Sequence, residues 1–142
     1  MSKVIIAGGR DFTDFGYVKG YMATLPPWLD VKEVVCGMAP GADECGHRWA
    51  QYNSIPVTKF YADWDKYGKR AGPLRNLQMA EYADGLIAFW DGKSPGTKDM
   101  IMQAQQHGLW TYVVRTDIPW EKKFNDGMPI LNNVEYTQES MK

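Results

Sequence analysis

The sequence predicts an α/β fold: a three-layer sandwich built on a five-stranded parallel sheet in the order 3-2-1-4-5, with helices on both faces. Three observations predict it. Five short apolar runs alternate with helix-like stretches. The runs are continuously apolar instead of alternating, as in strands buried on both sides. Three glycine-bearing turns, Gly8-Gly9-Arg10-Asp11, Gly37-Met38-Ala39-Pro40-Gly41-Ala42-Asp43 and Asp91-Gly92-Lys93-Ser94-Pro95-Gly96-Thr97, each follow an apolar run and precede a helical stretch.

The elements follow in order. The first strand covers residues 3–7. In the first helix, Tyr17, Val18, Tyr21, Met22 and Leu25 share a face; Asp14 is placed to cap it and Pro26-Pro27 to end it. The second strand covers 33–36, and Ala42, Cys45, Trp49 and Ala50 form the face of the second helix. The third strand covers 56–60. A polar connection over 61–72 then carries Trp64, Tyr67, Lys69 and Arg70. Leu74, Leu77, Ala80 and Ala83 mark a third helix, and 85–90 a fourth strand. Thr97, Ile101 and Ala104 mark a fourth helix, stopped at Gly108, and 110–115 a fifth strand. A chain of 142 residues fits one domain. The expected domain spans 1–116. Residues 117–142 form a C-terminal extension of it, with weak strand character at Ile130-Leu131 and Val134 to Tyr136.

In the 3-2-1-4-5 order the chain direction of the topology reverses between strands one and four. Ligands bind beside such a switch point, at the carboxyl ends of the strands. The turns after strands one and four flank it, and the turn after strand two is adjacent. Helix N-termini and free backbone amides on one edge make an anion site. Gly8 and Gly9 let backbone approach a ligand closely. Arg10, beside Asp11, is placed to clamp a phosphate or carboxylate; the plainer reading is a surface Arg on a tight turn. Asp43, in the turn bracketed by Gly37 and Gly41 and next to Ala42, caps the second helix or, alternatively, meets ribose hydroxyls or orients a water. Asp91, Ser94, Gly96 and Thr97 open the fourth helix, which suits a phosphate or ordinary capping. Arg75 and Asn76 fall in the first turn of the third helix, where an Arg opposes the helix dipole. That placement marks Arg75 for a ligand or catalytic role. Trp64 and Tyr67 would either stack on a base, at about 1–3 kcal/mol per base, or cover the edge of the core.

Composition excludes several classes. The net charge of −1 argues against a sequence-independent grip on nucleic acid. No apolar run approaches the roughly 20 residues of a membrane span, and the start has no secretory h-region. The expectation is a cytoplasmic protein without membrane association. Cys36 and Cys45 are then reduced thiols, and their spacing, with only His47 and His107 besides, fits no zinc pattern. No metal and no cofactor are expected. Walker and Gly-x-Gly-x-x-Gly motifs are absent, as is a nucleophile–histidine pair at motif spacing.

Five blocks carry a resemblance: Gly8 to Phe12, Gly37 to Asp43, Ala71 to Met79, Ala83 to Trp90 and Asp91 to Thr97. Their order and spacing over residues 3 to 115 resemble the SLOG superfamily, named for the Smf/DprA and LOG proteins, and within it the YpsA-related branch. The resemblance implies a Rossmann-like domain that binds nucleotides or nucleotide-derived molecules, and a branch also met in phage genomes. It implies a homo-oligomer as well. LOG relatives are phosphoribohydrolases with an Arg-Lys-x-x-Met block and a Gly-Gly-x-Gly-Thr-x-x-Glu block. Arg75 and Met79 match the first, with Asn76 in place of Lys. Gly96 and Thr97 match the second, but Met100 stands at the Glu position, and Met is no acid or base. DprA relatives bind single-stranded DNA, which the net charge disfavours here.

The expected function is therefore binding of a nucleotide or nucleotide-derived molecule, as a signalling nucleotide of the ADP-ribose or cyclic dinucleotide kind, by a sensor or a sequestering protein. The binding set is Gly8, Gly9, Arg10, Asp11, Gly37, Gly41, Ala42, Asp43, Arg75, Asn76, Asp91, Ser94, Gly96 and Thr97. The alternative is a hydrolase on the same ligand class, in which Asp43, Glu44 or Asp91 supplies the carboxylate and Arg75 holds phosphate. A third reading is single-stranded nucleic-acid binding through Lys69, Arg70 and Arg75.

Overall fold

Strand β1 (Ser2–Gly8) forms the centre of the sheet in a computed structural model that describes residues 2–26 and 29–118, together with the backbone of 124–125 and 128–129. It pairs in parallel with β2 (Val31–Cys36) on one side and β4 (Gly85–Trp90) on the other. β3 (Val57–Lys59) and β5 (Trp110–Arg115) extend the sheet outward, again in parallel. The order is β3-β2-β1-β4-β5, as the sequence predicts.

Alternate residues of each central strand feed two cores, because successive side chains leave opposite faces. Val4, Ile6, Val34, Ile87, Phe89 and Val114 pack under α1 (Phe15–Met22) and α2 (Ala42–Tyr52). Ile5, Ala7, Val35, Leu86, Ala88 and Val113 pack under α4 (Ala71–Tyr82) and α5 (Pro95–Gln106). The result is the Rossmann-like three-layer arrangement. β4 is buried along its whole length, which explains its unbroken apolar run.

The helices differ from expectation in three places. Asp14 does cap α1, accepting from the Tyr17 amide at 3.0 Å, but α1 ends at Met22, before the prolines. Its last carbonyls are consumed locally: Lys19 by the Ala23 amide, Tyr21 by the Thr24 amide and, at 2.6 Å, by the Thr24 hydroxyl. Leu25 still packs on the first core from beyond the helix. The connection over 61–72 is largely helical. α3 (Trp64–Tyr67) is capped by Asp63, and a 3-10 turn (Gly68–Arg70) leads directly into α4. α4 therefore starts at Ala71, so Arg75 and Asn76 sit in its second turn, not its first. Its buried face is Ala71, Asn76, Met79 and Ala80. Leu74 and Leu77 are only half-buried. A polar residue on the inward face hid that stripe from an apolar-periodicity reading.

α5 and its stop at Gly108 follow the prediction, with Met100 added to the buried face. Beyond β5, Phe124–Asn125 (β6) and Met128–Pro129 (β7) form an antiparallel pair. The strands expected at 130–131 and 134–136 lie outside the described residues, as does most of the extension expected over 117–142. Among the described residues no helix is long and apolar enough to cross a membrane, and no His, Cys, Asp and Glu cluster could hold a metal. Both cysteines are free and buried.

Candidate functional site

A cavity of about 570 Å³ opens at the carboxyl ends of the central strands, between the turns after β1 and β4 and the first turns of α4. Ligand pockets commonly fall in the range of about 300–1,000 Å³. The β1 turn contributes Gly8, Gly9, Arg10 and Asp11; the turn before α5 contributes Ser94, Gly96 and Thr97. Asp43 enters from α2, and Arg75 and Asn76 from α4. Ten of the predicted binding residues thus share one chamber. Trp64 and Lys69 join them from the helical connection, whereas Tyr67 and Arg70 do not line it.

Four predicted residues lie elsewhere, for local reasons. Gly41 has φ +84, and a Cβ there would collide with the carbonyl oxygens of Gly9 and Arg10; the Ala42 amide also donates to the Gly9 carbonyl at 3.1 Å. Ala42 is fully buried. This turn therefore buttresses the β1 turn from behind. Gly37 makes room for two side chains: a Cβ there would stand 2.7 Å from Arg75 Nη1 and 2.9 Å from Asp43 Oδ2. Asp91 lines a separate, smaller chamber of about 190 Å³. Glu44, the other carboxylate considered, is exposed and lines neither chamber.

Asp43 does not cap α2. The cap position is Gly41, with no side-chain bond, and the Asp43 carboxylate reaches back to accept from the Ala39 amide at 3.2 Å. It is 5% exposed. Burial raises its pKa to about 6, against the opposing pull of Arg75, the Ala39 amide and Arg10. Arg75, half-buried, has its pKa lowered by burial, with Asp43 opposing the shift; it donates from Nη1 to the Gly37 carbonyl. Burial also lifts the Cys36 thiol to about 11, and that thiol donates to the Asp43 carbonyl at 3.3 Å.

Asn76 organises the floor. It accepts from Arg75 Nε at 3.2 Å, and its amide donates to Asp99 Oδ2 at 2.9 Å and to the Gly96 carbonyl at 3.3 Å. Asp99 was not foreseen. A lone acidic residue in the second turn of a helix carries no pattern, and its role shows only through Asn76. Met100, at the position where LOG enzymes carry Glu, is buried in the second core and reaches the chamber.

No side chain caps α5. Ser94 Oγ instead donates to Asp91 Oδ2 at 3.0 Å, while Asp91 Oδ1 accepts from the Lys93 and Ser94 amides at 2.8 and 2.7 Å. Those bonds, the Ser94 amide foremost, hold the Asp91 carboxyl below its usual range. An uncapped first turn leaves helix amides available to an anion.

A family model described as YAcAr, the YspA, cpYpsA-related SLOG family, matches residues 2–67. Gene 61 protein of Mycobacterium phage D29 is 37% identical over 119 residues, covering 77% of this chain and 93% of that protein. No solved structure matches the chain.

Proposed function

The chain belongs to the YspA, cpYpsA-related SLOG family, and on that premise we propose that its large chamber captures a nucleotide or nucleotide-derived small molecule. Membership in this family points to a nucleotide-related binding or processing role. One observation carries the choice of binding: residues from four separate segments converge on one chamber that combines three cations, Arg10, Lys69 and Arg75, with the uncapped start of α5. Phosphate would sit at the Gly96 and Thr97 amides, within reach of the cations. Trp64, half-exposed, with the Arg10 guanidinium 5.7 Å from its ring centre, would cover a base.

The sensor or sequestering role is tested by mass spectrometry of small molecules released when freshly purified protein is denatured. The expected result is a nucleotide-like species in the wild type and its loss in Arg75→Ala. An empty wild type, with no nucleotide raising its melting temperature, would count against the reading. The relative in a phage agrees with a protein that sequesters a signalling nucleotide. Assembly into a homo-oligomer belongs to the same proposal and is tested by light scattering.

A hydrolase reading keeps one specific support. Asp43 lines the chamber beside Arg75 with a pKa that burial raises to about 6, a shift towards the range that suits a general acid or base. It predicts turnover of a nucleotide panel that Asp43→Asn abolishes. No product after long incubation at high protein concentration would remove it.

A further inference from the structure

Three carboxylates, Asp11, Asp43 and Asp99, line the large chamber beside its three cations. They are not equivalent. Asp11 is exposed, so water screens its charge. Asp99 is committed, its Oδ2 accepting from Asn76 at 2.9 Å and from Gln103 at 3.4 Å. Asp43 is buried and only half satisfied. Its Oδ2 accepts from the Ala39 amide at 3.2 Å. Among the described residues its Oδ1 accepts no hydrogen bond, and the carboxylate makes no ion pair. That oxygen is not enclosed by protein, and the space that Asp43 lines is the chamber. Buried polar groups are nearly always hydrogen-bonded, and one left short costs stability. Oδ1 therefore calls for a donor from the ligand. A phosphate dianion offers no donor and is repelled by the charge, whereas a neutral hydroxyl donates.

The surroundings of Asp43 indicate which part of a nucleotide brings that hydroxyl. Arg10 and Arg75 both act on its charge. Arg10 lies over the ring of Trp64, the side chain assigned to the base. Arg75 is joined through Asn76 to the Gly96 carbonyl, in the turn assigned to the phosphate. The carboxylate is thus flanked by the cation of the base wall and the cation tied to the phosphate turn. Between base and phosphate a nucleotide carries its ribose, whose hydroxyls are neutral donors.

We propose that Asp43 Oδ1 accepts a hydrogen bond from a ribose hydroxyl of the ligand, and that the chamber selects ribonucleotides over deoxyribonucleotides through this contact. This rests on the nucleotide reading above and narrows it from nucleotides in general to those with an intact ribose.

Calorimetric titration at pH 8, where the carboxylate is ionised, tests it with ADP, GDP and UDP, each against its 2′-deoxy and 3′-deoxy counterparts. The two counterparts separate the hydroxyls. In the expected result, at least one ribonucleotide binds tenfold or more tightly than one of its deoxy counterparts, the loss that follows deletion of a hydrogen bond to a charged group. Asp43→Ala then brings that ratio close to one. Asp43→Asn keeps an acceptor without the charge and lowers the ratio several-fold, which serves should the Ala variant fold poorly. Ribose and deoxy forms binding equally to the wild type would overturn the ribose contact alone. A preference left intact by a folded variant would overturn the assignment to Asp43. Absence of binding by every compound would overturn the nucleotide reading itself, and this inference with it.

Discussion

Asn76 donates to Asp99 across 2.9 Å and so ties the second turn of α4 to that of α5 at the base of the crevice. Asn76 is 6% exposed, so its polar atoms must be satisfied by protein, and its three bonds to Arg75, Gly96 and Asp99 do that. Asn76→Ala leaves those partners short of a bond. The expected cost is about 1–3 kcal/mol in urea unfolding. Nucleotide affinity should fall as well, because Arg75 loses the acceptor that fixes its Nε. Unchanged stability together with unchanged affinity would remove Asn76 from the site's support.

Gly41→Ala tests the buttress. The position has φ +84, and the added Cβ would meet the carbonyl oxygens of Gly9 and Arg10. Backbone cannot move aside as the end of a side chain does. Strain in this region costs on the order of 1–3 kcal/mol, and the clash adds to it. The expected result is a clear drop in melting temperature with disturbance of the β1 turn. A variant as stable as the parent would mean that the two turns are not packed as described.

Gly96→Ala separates stability from binding. A Cβ at Gly96 meets nothing within 4 Å, and the residue lies in the first turn of α5. Alanine in a helix is favoured over glycine by roughly 0.5–1 kcal/mol, so the melting temperature should hold or rise. The methyl group would intrude where a phosphate is expected to approach the amides. Nucleotide affinity should fall at least tenfold. Undiminished affinity would move the phosphate away from this turn.

The sheet was legible because its strands are buried on both faces. Val4 to Ala7 and Leu86 to Trp90 are apolar without interruption, and the bounds of β4 and β5 coincide with the expected ones. The first and last of the three turns were legible as site material, since glycine, arginine and hydroxyl residues followed strand ends. What the sequence hid was tertiary in origin. Asn76 on an inward face broke the apolar stripe of α4 and shifted the apparent face to Leu74 and Leu77. Gly37 and Gly41 read as phosphate-cradling glycines, yet the first makes room for Arg75 and Asp43 and the second for the neighbouring backbone. Asp43 read as a cap because it follows a turn glycine, whereas its carboxylate serves the Ala39 amide. In each case the residue type was informative and its partner, distant in sequence, was not.

Asp43 also predicts a pH dependence whose sign is unusual for a carboxylate. Its pKa stands near 6 in the folded protein because burial outweighs the attraction of Arg75, the Ala39 amide and Arg10. In the unfolded chain it lies near 3.8, the ordinary value of an aspartate in water. The folded state therefore binds the proton more tightly, and stability rises as pH falls through 6 towards 4. The gain between pH 7 and 5 is on the order of 1 kcal/mol, since one pKa unit corresponds to about 1.4 kcal/mol. Glu33 and Asp91 have lowered values and act in the opposite direction, but only once the pH approaches the ordinary carboxylate range. Between pH 7 and 5 those two carboxyls therefore add little, and comparison with the Asn variant removes the contribution of every other group. Urea unfolding at pH 7, 6 and 5 should show the wild type gaining stability relative to Asp43→Asn, which carries no titrating group at that position. Parallel curves for the two proteins would place the Asp43 carboxyl in a solvated setting and withdraw its candidacy as an acid or base.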